Sequence, residues 1–151
     1  MIFYKIILGL CLVASLLVSP TKAIAEPVKI EEMDAQQLVS YFSVQYGTDK
    51  DIALAVMRCE SGGKNSAVGD NGLSKGIYQF QEETFTRMSK LKGDELDYTS
   101  KLDQIKLAVW ALGKPNLARE WTAYRAIKNN GKYSFYSKQL KKHFTVYCSL
   151  Y

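Results

Sequence analysis

Beyond residue 30, apolar residues recur at three- and four-residue spacing along most of the chain, which predicts a succession of short amphipathic helices. Leu38, Tyr41, Phe42 and Gln45 share a face behind an Asp34–Gln37 capping box, and Gly47 ends the segment. Thr48 and Asp51 repeat the device and open a second helix carrying Ala53, Val56, Met57 and Glu60 on one side, stopped by Gly62 and Gly63. Phe85, Met88 and Leu91 form the next stripe, up to Gly93. Ser100 with Asp103 starts a helix faced by Leu102, Ile105, Ala108, Val109 and Leu112, closed by Gly113 and Pro115. Leu117, Trp121 and Tyr124 give a further helix its face before Asn129-Asn130-Gly131 turns the chain. Tyr136, Leu140, His143, Phe144 and Tyr147 then predict a last helix with Lys138, Lys141 and Lys142 on another side. Strand alternation is scarce, so the expected fold is mainly α, five to seven short helices around one core.

The segment from Lys64 to Lys75 breaks the helical pattern. It is rich in Gly, Asn and Ser, with Gly69-Asp70-Asn71-Gly72 as a tight turn. Its acidic spacing does not fit a calcium loop, which needs a closing Glu.

Composition changes the picture first at the N-terminus. A single charge, Lys5, precedes an apolar run from Ile6 to Val18, and Ala23-Ile24-Ala25 places small residues where a signal peptidase reads. Residues 1–25 are thus expected to be a cleaved secretory signal and residues 26–151 one domain, exported to a periplasmic or extracellular site. The run is short for a membrane span, and Leu10 is too bulky for Cys11 to read as a lipoprotein cysteine. Of the 20 Lys and Arg, Lys5 and Lys22 fall in the signal, leaving 18 against 15 acids and a net charge of +3. Mild basicity suits an anionic polymer, and solvated lysines alone give the same total. Two cysteines remain, Cys59 and Cys148. In an oxidising compartment they either form a bridge, closing about ninety residues for roughly 4 to 5 kcal/mol of chain entropy, or stand as two separate thiols.

Candidate chemistry centres on Glu60. An apolar stripe and the unpaired carbonyls of a helix C-terminus both disfavour its ionised form, so its pKa is expected to rise into the range of a general acid. The competing reading is a solvent-facing Glu at a helix end. A cysteine hydrolase pairing Cys59 with His143, the sole His, is disfavoured because a helix C-terminus raises a thiol pKa. One His excludes two- or three-His zinc sites, and no phosphate loop or nucleic-acid module is present. No cofactor, metal or nucleic-acid partner is expected.

Glu60-Ser61-Gly62, followed after a polar loop by Ser74, Gly76 and Gln79, resembles the lysozyme-like superfamily, the lytic transglycosylases (SLT-type) and lysozymes. There a Glu-Ser pair ends a helix and a Gly-hydrophobic-hydrophobic-Gln segment follows. Asn65 and Ala67 are similar to the residues usually found between. The resemblance implies a small lysozyme-like helical domain with a short hairpin or irregular loop beside a sugar cleft, Glu60 as the acid, and Gly76 as a structural glycine. It also implies substrate contacts from Ser74, Gln79 and Tyr78, although Tyr78 and Phe80 taken alone read as core. Ala123-Tyr124-Arg125-Ala126 looks like the family's Ala-Tyr-Asn-Ala-Gly segment, with Arg125 for Asn and Ile127 for Gly, and would place Tyr124 across the cleft from Glu60. Trp121 reads as a core anchor.

Animal-type lysozymes carry an Asp two residues before the second-segment Gly, where this chain has Ser74, and transglycosylases often carry a Ser at the position of Lys75. The implied activity is therefore cleavage of the β-1,4 bond between N-acetylmuramic acid and N-acetylglucosamine in peptidoglycan, leaving 1,6-anhydromuramic ends. Asp70, Glu82, Glu83, Asp94 and Asp97 remain candidate second carboxylates for a hydrolytic muramidase. A non-catalytic glycan-binding protein of a secretion apparatus is the non-enzyme alternative. The expected partners are peptidoglycan strands and, by analogy, a secretion or conjugation apparatus, the protein itself being a monomer.

Overall fold

A computed structural model of the chain describes residues 29–138 and 141–150; the expected signal segment lies outside the described residues. A single turn at Ile30–Glu32 leads into α1 (Ala35–Tyr46) and α2 (Lys50–Ser61). Three two-residue strands follow, β1 (Val68–Gly69), β2 (Ser74–Lys75) and β3 (Phe80–Gln81), then α3 (Glu82–Lys92), α4 (Lys101–Leu112), α5 (Pro115–Ala118) and α6 (Thr122–Lys128). Two longer strands, β4 (Lys132–Ser137) and β5 (Lys142–Tyr147), end the described fold.

The helices begin and end where local chemistry directs. Asp34 and Gln37 form the reciprocal capping box, with both side chain to backbone bonds present at 2.8 and 2.9 Å. Asp49 caps α2, accepting from the N–H groups of Asp51 and Ile52. Thr48, expected in that role, is buried and donates to Val109 O at 2.8 Å, tying the α1–α2 corner to α4. Ser100 accepts from Asp103 N–H, but the Asp103 carboxylate turns to Asp97 N–H instead of closing a box. Gly47, Gly62 and Gly93 end α1, α2 and α3 in the left-handed conformation.

Helix α4 is the centre of the domain. Gln104, Ile105, Leu107, Ala108, Val109, Ala111 and Leu112 are all buried, more than the one face its spacing predicts, because α1, α2, α3 and α5 all pack on it. Leu38, Val39 and Phe42 of α1 and Ala53, Val56 and Met57 of α2 complete the core. On α3, Phe85 and Met88 are buried, but Leu91 at the end of the predicted stripe is 61% exposed.

Two sequence expectations are corrected. The helix predicted through Leu117, Trp121 and Tyr124 is broken into α5 and α6 at Trp121, whose backbone is extended (φ −84°, ψ 122°). That kink drives the indole into the core, where its Nε1 donates to Tyr78 O at 2.9 Å. The last predicted helix is an antiparallel hairpin, β4 against β5, with Phe135 opposite Phe144 and Tyr136 opposite His143. Its residues are aromatic and β-branched, and they alternate: Tyr133, Phe135, Phe144 and Val146 take one face, while Tyr136 and Tyr147, counted into a helical stripe, stand 50% and 71% exposed on the other. Leu140, counted into the same stripe, lies outside the described residues.

Of the two forms expected for the polar loop, a short hairpin or an irregular loop, the chain adopts the hairpin. Val68 pairs with Lys75 and Gly69 with Ser74, and β3 adds to the other edge of β2. Asp70, Asn71 and Gly72 make the turn with φ of 48°, 55° and 95°. Gly76 (φ 82°) lets the chain leave β2 directly over α4, where an added Cβ would overlap the Gln104 amide. Replacing Gly76 with Ala is expected to cost about 2 to 4 kcal/mol from backbone strain and overpacking, measurable as a lower denaturation midpoint in urea.

Candidate active site

Glu60 occupies the last turn of α2, one residue before the Ser61 that ends the helix. Ser61 fixes this terminus against the following segment, donating from Oγ to Ile77 O at 2.6 Å while accepting from Gly63 N–H at 3.1 Å. The Glu60 carboxylate accepts the backbone N–H of Ala123 near the start of α6. The kink at Trp121 is what presents that N–H, so the residue that anchors the core also sets the environment of the carboxylate.

A cleft of about 380 Å3 opens at Glu60. Its sides come from Asp70, Ser74 and Gln79 of the small sheet region, from Trp121 and Thr122 at the α6 entry, and from Phe135 of β4. Burial pushes the Glu60 pKa up from 4.5 to about 7, the nearby Asp70 charge adds to the rise, and the Ala123 N–H acts against it. At neutral pH Glu60 is therefore divided between carboxylic acid and carboxylate, able to give a proton in one step and take one in the next.

The candidates singled out in the sequence are distributed unequally. Ser74 lines the cleft but is committed within the protein, its Oγ donating to Asp70 Oδ2. Gln79, held at φ 50°, also lines it, and its Nε2 donates to Ala67 O at 3.1 Å and Gly76 O at 2.9 Å, so the amide nitrogen braces the loop. Tyr78 is not a cleft residue: it is fully buried, with its hydroxyl donating to Ala53 O at 3.0 Å, and the surrounding apolar side chains push its pKa up. Trp121, 5% exposed, packs edge-on against Phe80 and Tyr78, as expected of a core anchor.

Tyr124 does not face Glu60. It lines a separate groove with Pro115, Arg119 and Lys128, and the Lys128 ammonium sits 5.8 Å from its ring centre. Glu60 meets the N-terminal end of α6, where the unpaired first-turn N–H groups point along the helix axis, whereas the Tyr124 side chain leaves the helix sideways into the other groove. Arg125, at the motif's Asn position, reaches the hairpin instead: Nη1 donates to the Tyr133 hydroxyl at 3.0 Å, and the guanidinium lies over the Tyr133 ring.

Of the five candidate second carboxylates, Asp70 alone lines the Glu60 cleft; a further carboxylate there, Glu120, outside those five, is ion-paired with Arg87 at 2.9 Å. Glu82 and Glu83 border a depression on α3, Asp94 is held by Lys92 and Lys106, and Asp97 caps the turn into α4 through Thr99. The paired lysines hold the Asp94 carboxyl below its ordinary range, chiefly through their hydrogen bonds. Phe135 and the Ala123 N–H are additions that the helical reading of the sequence does not contain. A period-two reading of residues 132–137 is the signal that finds Phe135, whereas a backbone donor leaves no mark in the sequence.

Cys59 and Cys148 are bonded, 89 residues apart. The bridge joins the position before Glu60 to the position after β5, and Arg58 reinforces it by donating from Nη2 to Leu150 O at 2.6 Å. Among the described residues no group of His, Cys, Asp and Glu is placed to hold a metal, and no helix is long and apolar enough to cross a membrane.

The family model of the transglycosylase SLT domain matches residues 37–139, from the first turn of α1 to just past β4. No curated protein and no solved structure matches the chain. The matched span includes Glu60, the small sheet and α6, and stops short of β5 and Cys148. By that match, over two thirds of its length, the chain belongs to the transglycosylase SLT domain family, whose glycosidic chemistry is directed at peptidoglycan, a polymer outside the cytoplasm.

Proposed function

We propose that the protein cleaves the β-1,4 bond between N-acetylmuramic acid and N-acetylglucosamine with Glu60 as general acid and then general base. The observation that carries this reading is a half-ionised carboxyl, pKa about 7, at the base of an open cleft inside the matched family segment. Protonated Glu60 gives its proton to the glycosidic oxygen as the bond from C1 breaks and the muramic N-acetyl oxygen supports the carbon. Glu60, now a carboxylate, takes the proton of the C6 hydroxyl as O6 closes on C1, which leaves a 1,6-anhydromuramic end and returns the acid. Mass spectrometry of fragments released from purified peptidoglycan tests this: anhydromuramic ends are expected.

Asp70 favours a second reading, hydrolysis, because it is a carboxylate in the same cleft. Asp70→Asn separates the two. Under transglycosylation the variant keeps anhydro products within about tenfold of the parent rate, and the alkaline limb of its pH profile moves to lower pH, since a charge that raises the Glu60 pKa is gone. A loss of about 100-fold or more, with reducing ends from the parent enzyme, assigns hydrolysis with Asp70 as the second carboxyl. Export through residues 1–25 and service to a secretion or conjugation apparatus are consistent with a polymer outside the cytoplasm, and N-terminal sequencing of protein from the culture medium or periplasm tests the former.

A further inference from the structure

The hairpin is where this chain exceeds its family match. Its second strand and Cys148, one half of its disulfide, lie beyond residue 139, yet its first strand sends Phe135 into the Glu60 cleft. Tyr133, Phe135 and Phe144 form a continuous ring ladder on one face of the hairpin, with centroids 5.9 and 5.7 Å apart and planes within 19° and 21° of each other; of the three, Phe135 lines the Glu60 cleft and Tyr133 the groove of Tyr124. Tyr133 and Val146 pack against the core, whereas Phe135 and Phe144 lie further out along the face and stay partly open. The Lys142 ammonium, 5.3 Å from the Phe144 ring centre, closes the outer end.

Three separate ties hold the ladder at the cleft. Arg125 grips Tyr133 by hydrogen bond and ring contact, the bridge from Cys148 anchors β5 to the residue before Glu60, and Arg58 holds the chain beyond it. Such bracing is more than a solvent-facing hairpin requires. A rigid aromatic face beside a sugar cleft packs the C–H face of a pyranose against the ring with little entropy to lose. A lysine at its end suits the carboxylates of a peptide stem on that sugar.

We propose that Phe135, with Phe144 behind it and Lys142 at its edge, is a platform on which a stem-bearing sugar of the glycan strand stacks next to the bond at Glu60. The proposal rests on the peptidoglycan reading above and adds to it a binding subsite made by the hairpin.

The test uses Glu60→Gln protein, which retains its substrate, in co-sedimentation with purified peptidoglycan. Adding Phe135→Leu, which preserves apolar volume but cannot stack, is expected to weaken binding about tenfold, the effect of roughly 1.4 kcal/mol of ring contact; Phe135→Tyr restores it. Phe135→Trp, also in the Glu60→Gln protein, supplies an independent readout: a soluble stem-bearing peptidoglycan tetrasaccharide should change the tryptophan emission beyond any change seen with Glu60→Gln alone. Equal binding by the Leu variant, or an emission change no different from that of Glu60→Gln alone, overturns the platform while leaving the peptidoglycan reading intact. If Glu60→Gln protein itself does not bind peptidoglycan, that reading fails and the platform falls with it.

Discussion

Glu60→Gln is expected to lose about 10^3-fold or more in turnover of peptidoglycan, the usual contribution of a positioned general acid, and to become more stable at the same time. The two effects have one origin. Gln fills the same space and still accepts the Ala123 N–H through its amide oxygen, but it has no proton to give and no charge to bury. In the parent protein the folded-state pKa of about 7 stands above the ordinary 4.5, so folding favours the protonated acid. That contribution is complete below about pH 4.5 and is lost as pH rises through 7, where the fold must hold a buried carboxylate beside Asp70. At pH 8 the variant should therefore exceed the parent by about 3 kcal/mol, and at pH 4 the difference should vanish. Paired thermal melts at the two pH values measure this. The parent's kcat/KM should hold up to about pH 7 and fall beyond it as the acid ionises. A variant that loses activity without gaining stability at pH 8 would mean that Glu60 is ionised at little cost, and would shift the acid role elsewhere.

The sequence is most readable where function and local structure use the same residues. The α2 stripe runs into Glu60 and glycines stop the helix directly after it, so periodicity and turn chemistry together single out Glu60 as the candidate acid. The small sheet is similarly explicit, because Gly69 to Gly72 can do little but turn. Residues 132–147 mislead because Tyr136, His143, Phe144 and Tyr147 satisfy a helical period by chance across what is a hairpin with its own alternation; aromatic and β-branched content is the better guide there. Tyr124 illustrates a different limit. The motif around it is present in part, but the N-terminal end of α6 meets Glu60 through Ala123 N–H, and the tyrosine side chain, projecting sideways from the helix, lines another groove. Asp70 is one of the five candidate second carboxylates, and only the three-dimensional closure of the loop sets it apart from the other four.

Removing the Cys59–Cys148 bridge is the second change with a large expected effect, and it acts on stability and on the cleft together. Closing 89 residues restricts the unfolded chain by roughly 4 to 5 kcal/mol of loop entropy, a substantial share of the 5 to 15 kcal/mol that holds a typical domain together. Cys59→Ala with Cys148→Ala should therefore lower the melting temperature by about 10 to 20 °C, and a reductant should do the same to the parent, since Cys59 is exposed. Loss of the bridge also leaves β5 to strand pairing, to packing on α6 and the core, and to Arg58 at Leu150. Phe135 would then sample positions away from the cleft, while Glu60, fixed by Ser61, Ile77 and Ala123, would not. Below the melting transition the reduced protein should accordingly show a higher KM on peptidoglycan with kcat nearly preserved. An equal fall in kcat would mean that the bridge positions Glu60 itself, and an unchanged melting temperature would mean that the two cysteines do not share a bond in the folded protein.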